Sequence, residues 1–196
     1  MLTVLTGAIE ARDPYTQGHS ARVTALAEEI ALRLGWSEER LESLRVGGPL
    51  HDIGKLAVSD HVLRKEGSLE EHELAEIRKH PKAGARLILR VAALREAIPY
   101  VLYHHERWDG AGYPTGKAGE EIPLEARVLA VADAFDAMTS DRPYRKGLGH
   151  LRAIEELRNF AGTQFDPDVV RVFLNRYETE APRFPEFPSV LAKLRA

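Results

Sequence analysis

The stretch Leu50-His51-Asp52-Ile53-Gly54-Lys55 sets an imidazole beside a carboxylate, both of them ligands for first-row metals. An aspartate can lend its two oxygens to two ions while the adjacent histidine holds one of them. Gly54 is expected to take positive φ, so that the chain leaves its helix just past the pair. Lys55 follows closely enough to offer a point charge to an anion beside the metals. Alone, a His-Asp pair is more often a capping or surface pair than a metal site. The other candidate ligands decide.

Five of the eight histidines, His19, His51, His80, His104 and His105, fall at inward or helix-end positions. Each has a plain reading as well. His19 could be a satisfied core histidine, and His104-His105 two neighbours on a wet face. Asp133 is harder to dismiss, because it lies inside a segment that is apolar nearly all round. A carboxylate there needs a cation or several hydrogen bonds. His61, His72 and His150 lie in loop-like or exposed settings and receive no role. The chain has no cysteine, so thiolate sites are excluded and any metal must be held by histidine and carboxylate. Seven N/O ligands exceed the needs of one ion. With Asp52 as a bridge, one ion takes His19, His51, Asp52 and Asp133, and the other takes Asp52, His80, His104 and His105. Two ions ~3.5–4 Å apart suit in-line displacement at phosphorus, and bound metal can lower the pKa of water from about 15.7 to about 7. Charge building on phosphate oxygens would be met by the metals, Lys55 and Arg142.

Helices must bring these residues together. Residues 1–12 read as a helix with Leu2, Leu5 and Ile9 on one side, broken by Asp13-Pro14. From Gly18 to Leu34 an inward stripe runs His19, Val23, Leu26, Ala27, Ile30, Leu34, closed by Gly35. Ser37 caps the next helix, whose stripe ends in His51 and Asp52, with a kink expected after 45–48 because of Pro49. Residues 56–67 read as loop. Ser68 and Glu71 form a capping box for a helix with Leu74 and Ile77 inward, ending at His80 before Pro81. Pro81 opens another helix with Leu87, Ile88 and Val91 inward. Leu94, Ile98, Val101 and His105 make the following stripe. The glycine-rich run 108–119 implies tight turns or close approach of backbone to a ligand. Pro123 starts the central apolar helix that carries Asp133 and Asp136. The basic run 141–146 leaves it, and helices near 150–160 and 167–176 finish an all-α bundle. The domain is expected to span 1–176, with 177–196 as a Pro/Phe-containing tail packed on it.

Length and composition agree with one domain: 196 residues, 44% hydrophobic, net charge −3. Nothing suggests a sequence-independent grip on nucleic acid. No apolar run reaches the ~18 residues of a membrane span, and no signal pattern opens the chain. The expectation is a soluble, cytoplasmic protein with neither a membrane nor a nucleic-acid polymer as partner.

His19, the pair His51-Asp52 and Asp133 resemble the His…His-Asp…Asp pattern of the HD phosphohydrolase superfamily. Longer strings resemble its HD-GYP subfamily: Asp13-Pro-Tyr-Thr-Gln-Gly-His-Ser20, His51-Asp-Ile-Gly-Lys55, His104-His-Glu-Arg-Trp-Asp-Gly-Ala-Gly-Tyr-Pro114 and Asp141-Arg-Pro-Tyr-Arg145. The resemblance runs from about Asp13 to Phe173. It implies an all-helical HD-domain bundle with a dinuclear site in its core, and hydrolysis of cyclic di-GMP to linear pGpG, GMP or both by metal-hydroxide attack on phosphorus. It implies His19, His51, Asp52, His80, His104, His105 and Asp133 as metal ligands, with Asp52 and Lys55 at the reacting centre. Substrate contacts are implied for Lys55, Arg142, Arg145, Gly112, Tyr113 and Pro114, with Asp13 and Asp136 near the ligand and Tyr113 stacking on guanine. The implied ions are iron or manganese foremost, with zinc, nickel or magnesium compatible. Some members use a glutamate four residues before the first histidine for a third ion; Tyr15 stands there in this chain. The resemblance also implies protein partners at the Gly112-Tyr113-Pro114 loop and an upstream sensory or receiver domain if the chain is a fragment. Two alternatives stand beside this reading. Another HD-superfamily nucleotide phosphohydrolase is disfavoured by the 109–114 loop and the paired His104-His105. A non-catalytic cyclic di-GMP receptor would often lack ligands, and none is lost here.

Overall fold

The computed structural model describes residues 6–7, 12–13, 18–141 and 146–179, with side chains to 175. The leading helix, the basic run with Arg142 and Arg145, Tyr15 and the tail lie wholly or mostly outside the described residues. Among the described residues every regular element is helical, and the only bridge is an isolated one between Ala161 and Phe165. None of these helices is long and apolar enough to cross a membrane.

Helix α1 (His19–Arg33) begins at Gly18 and is closed by Gly35, both at positive φ, and buries Val23, Leu26, Ala27 and Ile30. Helix α2 (Glu38–Leu50) follows Ser37, with Glu38 and Glu39 in the first turn, where the helix dipole favours negative charge. It continues across 45–48, where the sequence predicts a kink, because Pro49 falls in its last turn and costs only one internal hydrogen bond there. Gly47 and Gly48 explain how α2 fits. A Cβ on Gly47 would sit 2.2 Å from the Tyr100 ring, and one on Gly48 2.6 Å from Thr24 Oγ1. The paired glycines therefore let α2 lie tightly between its neighbours just before it delivers His51.

A 3-10 turn (Ile53–Ala57) leads to the short helix α3 (Asp60–Leu63), then α4 (Glu71–Ile77) and α5 (His80–Ile88). Residues 56–67 are thus more ordered than the loop expected. Val58, Val62 and Leu63 form a small core of their own with Leu69 and Ile77. The cap of α4 lies at Glu70 rather than Ser68: its backbone N–H donates to the buried Glu73 carboxylate at 2.7 Å, and Lys65 donates to the same carboxylate at 2.6 Å. Leu74, Leu87 and Val91, expected inward, are 40%, 47% and 42% exposed; only Ile88 of the α5 stripe is buried. These helices are short and flanked by turns, so one strip of apolar positions does not stay on one buried face.

Gly54 serves a different purpose from the one expected. It is not among the residues at positive φ. Instead, a Cβ there would lie 1.8 Å from the His80 carbonyl oxygen, so its lack of side chain lets the 53–57 turn press directly on α5.

After a 3-10 segment (Ala92–Ala97) come α6 (Ile98–Tyr103), the irregular loop, α7 (Leu124–Thr139), α8 (His150–Asn159) and α9 (Pro167–Thr179). Helix α9 continues past the boundary at 176 expected from sequence. Helix α7 is central as expected: Val128, Leu129, Val131, Ala132 and Phe135 are fully buried among residues of α1, α2, α8 and α9. A second apolar cluster, Leu50, Ile53, Ile88, Ala97 and Val101, ties the end of α2 to α5 and α6. The site forms where the ends of α2 and α6 meet the starts of α1 and α5 and the middle of α7.

Candidate metal centre

Four histidines are aimed by local backbone or carboxylate contacts. His51, His80 and His104 each donate Nδ1–H to the carbonyl three residues earlier, Gly48 at 2.7 Å, Ile77 at 2.7 Å and Val101 at 3.1 Å. Each such bond fixes the tautomer and leaves Nε2 with a free lone pair. His19 Nδ1 donates to Asp136 at 2.8 Å, leaving its Nε2 3.3 Å from Asp133.

These lone pairs converge. Ligand atoms of His19, His51 and Asp133 lie within 4.8 Å of one another, as do those of Asp52, His80, His104 and His105. Asp52 faces both groups: Oδ1 is 3.2 Å from His80 Nε2 and 3.9 Å from His104 Nε2, while Oδ2 is 3.5 Å from His51 Nε2. The polar atoms fit cations and little else. His51 Nε2 is buried without a hydrogen-bond partner. His80 Nε2 and His104 Nε2 stand 3.3 Å apart. With both Nδ1 atoms already donating, two acceptor lone pairs face each other across that gap, an arrangement a cation relieves.

The ionisation pattern agrees. Burial, joined by neighbouring histidines, pushes the pKa of His104 well down and that of His105 down to about 4. Burial also lowers His51 despite Asp52 and Asp133 nearby. These imidazoles are neutral at pH 7, as ligands must be. Burial favours a protonated Asp52, but the Lys55 ammonium beside it leads the contacts that outweigh this and hold the carboxyl well below the usual range. His19 is the exception. Burial disfavours its imidazolium, yet Asp133 and Asp136 prevail and push its pKa up to about 10. To hold a metal through Nε2, His19 would have to give up this proton.

Lys55 Nζ bonds Asp52 at 2.8 Å and Asp13 at 3.0 Å. Burial works against its charge, but these two carboxylates raise its pKa, so it remains an ammonium. The centre opens into a cleft of ≈ 390 Å³ whose lining includes Asp13, Lys55, His105 and Tyr113 together with Val62, Leu63, Leu69 and Ile77.

Tyr113 is held at this cleft by its loop. Its N–H donates to the His105 carbonyl at 3.1 Å, and its ring stacks on His105 with centroids 4.9 Å apart. Gly112 and Pro114 do not line the cleft; they shape the loop. A Cβ at Gly112 would lie 2.3 Å from Arg107 N. Glu106, which the sequence reading passed over, anchors the loop from below, accepting from Thr115 N at 2.6 Å, Thr115 Oγ1 at 2.7 Å and Gly116 N at 3.1 Å. Asp136 does not face the cleft either. It is buried behind His19 and clamped by Arg22 Nε at 2.6 Å. Arg22 was also missed, although it lies one turn after His19 on the same face of α1.

Among the described residues an all-helical frame brings together at its centre two His/Asp groups that could hold metal ions. The HD domain pattern matches residues 3–169. The chain belongs to the HD domain family and, by its Gly112-Tyr113-Pro114 strings, to the HD-GYP branch. Family and cluster together imply divalent metal ions. It is 44% identical over 169 residues to the cyclic di-GMP phosphodiesterase PA4108 of Pseudomonas aeruginosa, covering 85% of this chain and 40% of that protein. It is 42% identical over 180 residues to the cyclic di-GMP phosphodiesterase response regulator RpfG of Xanthomonas campestris, covering 88% and 46%. The chain thus spans less than half the length of these curated relatives. The crystal structure of V-cGAP3, a cyclic GMP-AMP specific phosphodiesterase of Vibrio cholerae, shares the fold with TM-score 0.71 at 21% identity, covering 100% of this chain and 50% of that one.

Proposed function

We propose that this chain is the catalytic unit of a phosphodiesterase that hydrolyses cyclic di-GMP to linear pGpG, GMP or both. The observation that carries the reading is Asp52, whose two oxygens face two separate groups of imidazole nitrogens beside a charged lysine. His19, His51, Asp52 and Asp133 would hold one ion, and Asp52, His80, His104 and His105 the other. Two such ions supply Lewis acidity and a nucleophile at neutral pH. Iron or manganese is the first choice for this nitrogen and carboxylate set; zinc, nickel and magnesium are the alternatives.

The chain's own groups do the rest. Lys55 presents a fixed ammonium, positioned by Asp13, to the oxygens on which charge grows during displacement. Tyr113 offers a flat wall for a purine, and Val62, Leu63, Leu69 and Ile77 add apolar lining to the same cleft. The cleft falls within the ~300–1,000 Å³ typical of small-ligand sites. Arg142 and Arg145, which match the family strings, are proposed as further phosphate contacts. Protein partners meeting the 109–114 loop belong to the same proposal.

The test is turnover. Chain loaded anaerobically with Fe(II) or Mn(II) is expected to convert cyclic di-GMP to pGpG or GMP, resolved by chromatography, with activity stopped by a chelator and restored by metal. Tight binding without turnover in the loaded protein would make it a receptor. Neither binding nor turnover would remove this substrate.

A further inference from the structure

The relatives differ in the bases named for their substrates: cyclic di-GMP for two, cyclic GMP-AMP for the V-cGAP3 structure. A residue at the rim of the cleft bears on that difference. Tyr113 lines the cleft, and one face of its ring lies on His105 at an interplanar angle of 28°. The exposed Arg78, which follows α4 directly, holds its guanidinium carbon 5.6 Å from the centroid of the same ring. Arg12, Arg22, Arg107 and Arg127 are each committed to a carboxylate. Among the described residues the Arg78 guanidinium has neither a carboxylate nor a hydrogen-bond partner. It is an uncommitted five-donor fork beside an aromatic platform.

His105 takes one face of Tyr113, so a purine must stack on the other. A stacked base lies in a layer parallel to the ring. The guanidinium carbon lies over the ring, 5.6 Å from its centroid, on an exposed side chain, so an entering base would push it aside to its own edge, where the N–H groups can meet acceptors. Guanine presents two acceptors there, O6 and N7, which suit a guanidinium fork; adenine replaces O6 with an amino donor. Resting on the reading that the substrate is a cyclic dinucleotide, we infer that Arg78 is a specificity-determining residue that selects guanine over adenine for the base seated on Tyr113.

The experiment compares wild type, Arg78→Ala and Arg78→Lys on cyclic di-GMP, 3'3'-cGAMP and cyclic di-AMP. Metal content and hydrolysis of bis(p-nitrophenyl) phosphate, which carries no purine, are measured alongside. Arg78→Ala is expected to lose about 5- to 150-fold in kcat/KM on cyclic di-GMP, the range for one bidentate contact to guanine. Cyclic di-AMP turnover, metal content and the purine-free reaction should stay unchanged. Arg78→Lys should not restore discrimination, because a point charge lacks the fork. Equal losses on guanine and adenine substrates would make Arg78 a phosphate contact and overturn the inference, as would no loss at all or loss of metal. A wild-type enzyme that cleaves bis(p-nitrophenyl) phosphate but spares all three cyclic dinucleotides would instead overturn the substrate reading on which the inference rests.

Discussion

Asp52→Ala is expected to empty both metal positions and abolish turnover, whereas His104→Ala should mainly empty one. The asymmetry follows from where the atoms point. Asp52 Oδ1 faces His80 and His104, and Oδ2 faces His51. Removing Asp52 takes a ligand from each group at once and leaves neutral imidazoles clustered around His51 and His104, whose rings are 5.1 Å apart. His104 belongs to one group only. Metal analysis by mass spectrometry on both variants, prepared identically, reads the difference. Full occupancy at both positions in Asp52→Ala would show that it does not bridge.

Lys55→Ala is expected to lower kcat by about 100- to 1,000-fold, the usual cost of one preorganised donor to a developing oxyanion, with a smaller change in KM. The reason is that Lys55 is held before substrate arrives. Two carboxylates fix its Nζ, and its charge persists despite burial. A group positioned in this way acts on charge that grows during displacement more than on charge already present in the ground state. Steady-state kinetics with parallel metal analysis decides the matter. Wild-type kcat with intact metal would take Lys55 out of the reaction. Loss of metal would mean that Lys55 supports Asp52 and the cluster instead.

The candidate ligands were legible in the sequence because each carries its own local signal. His19 opens an apolar stripe, Asp133 sits inside an apolar helix, and His80 and His104 lie at helix ends. The structure gathers them into the groups expected, with Asp52 facing both. The long helices α1 and α7 were equally legible, since a stripe repeated over four turns leaves α1 one choice of buried face and an apolar surface nearly all round marks α7 as central. The short elements were not. Leu74, Leu87 and Val91 were placed inward by spacing, but α4 and α5 are too short for spacing to decide, and those residues face solvent. Glycine was misread at Gly54, where a sequence signals freedom of φ and close approach identically; only the His80 carbonyl oxygen 1.8 Å from its missing Cβ separates the two. Asp136 was placed near the ligand by the family resemblance. Three residues past Asp133 along the helix, it turns behind His19, where it meets Arg22. Glu106 and Arg78 lie close to residues well separated from them in sequence, Thr115 and Tyr113, and both are ordinary in type, so nothing local marks them.

The count of metal ions per chain tests the account most directly. Wild-type protein, purified and loaded without oxygen and freed of loosely held ions, should carry two equivalents of a divalent metal by mass spectrometry. One equivalent or fewer would contradict a dinuclear centre bridged by Asp52.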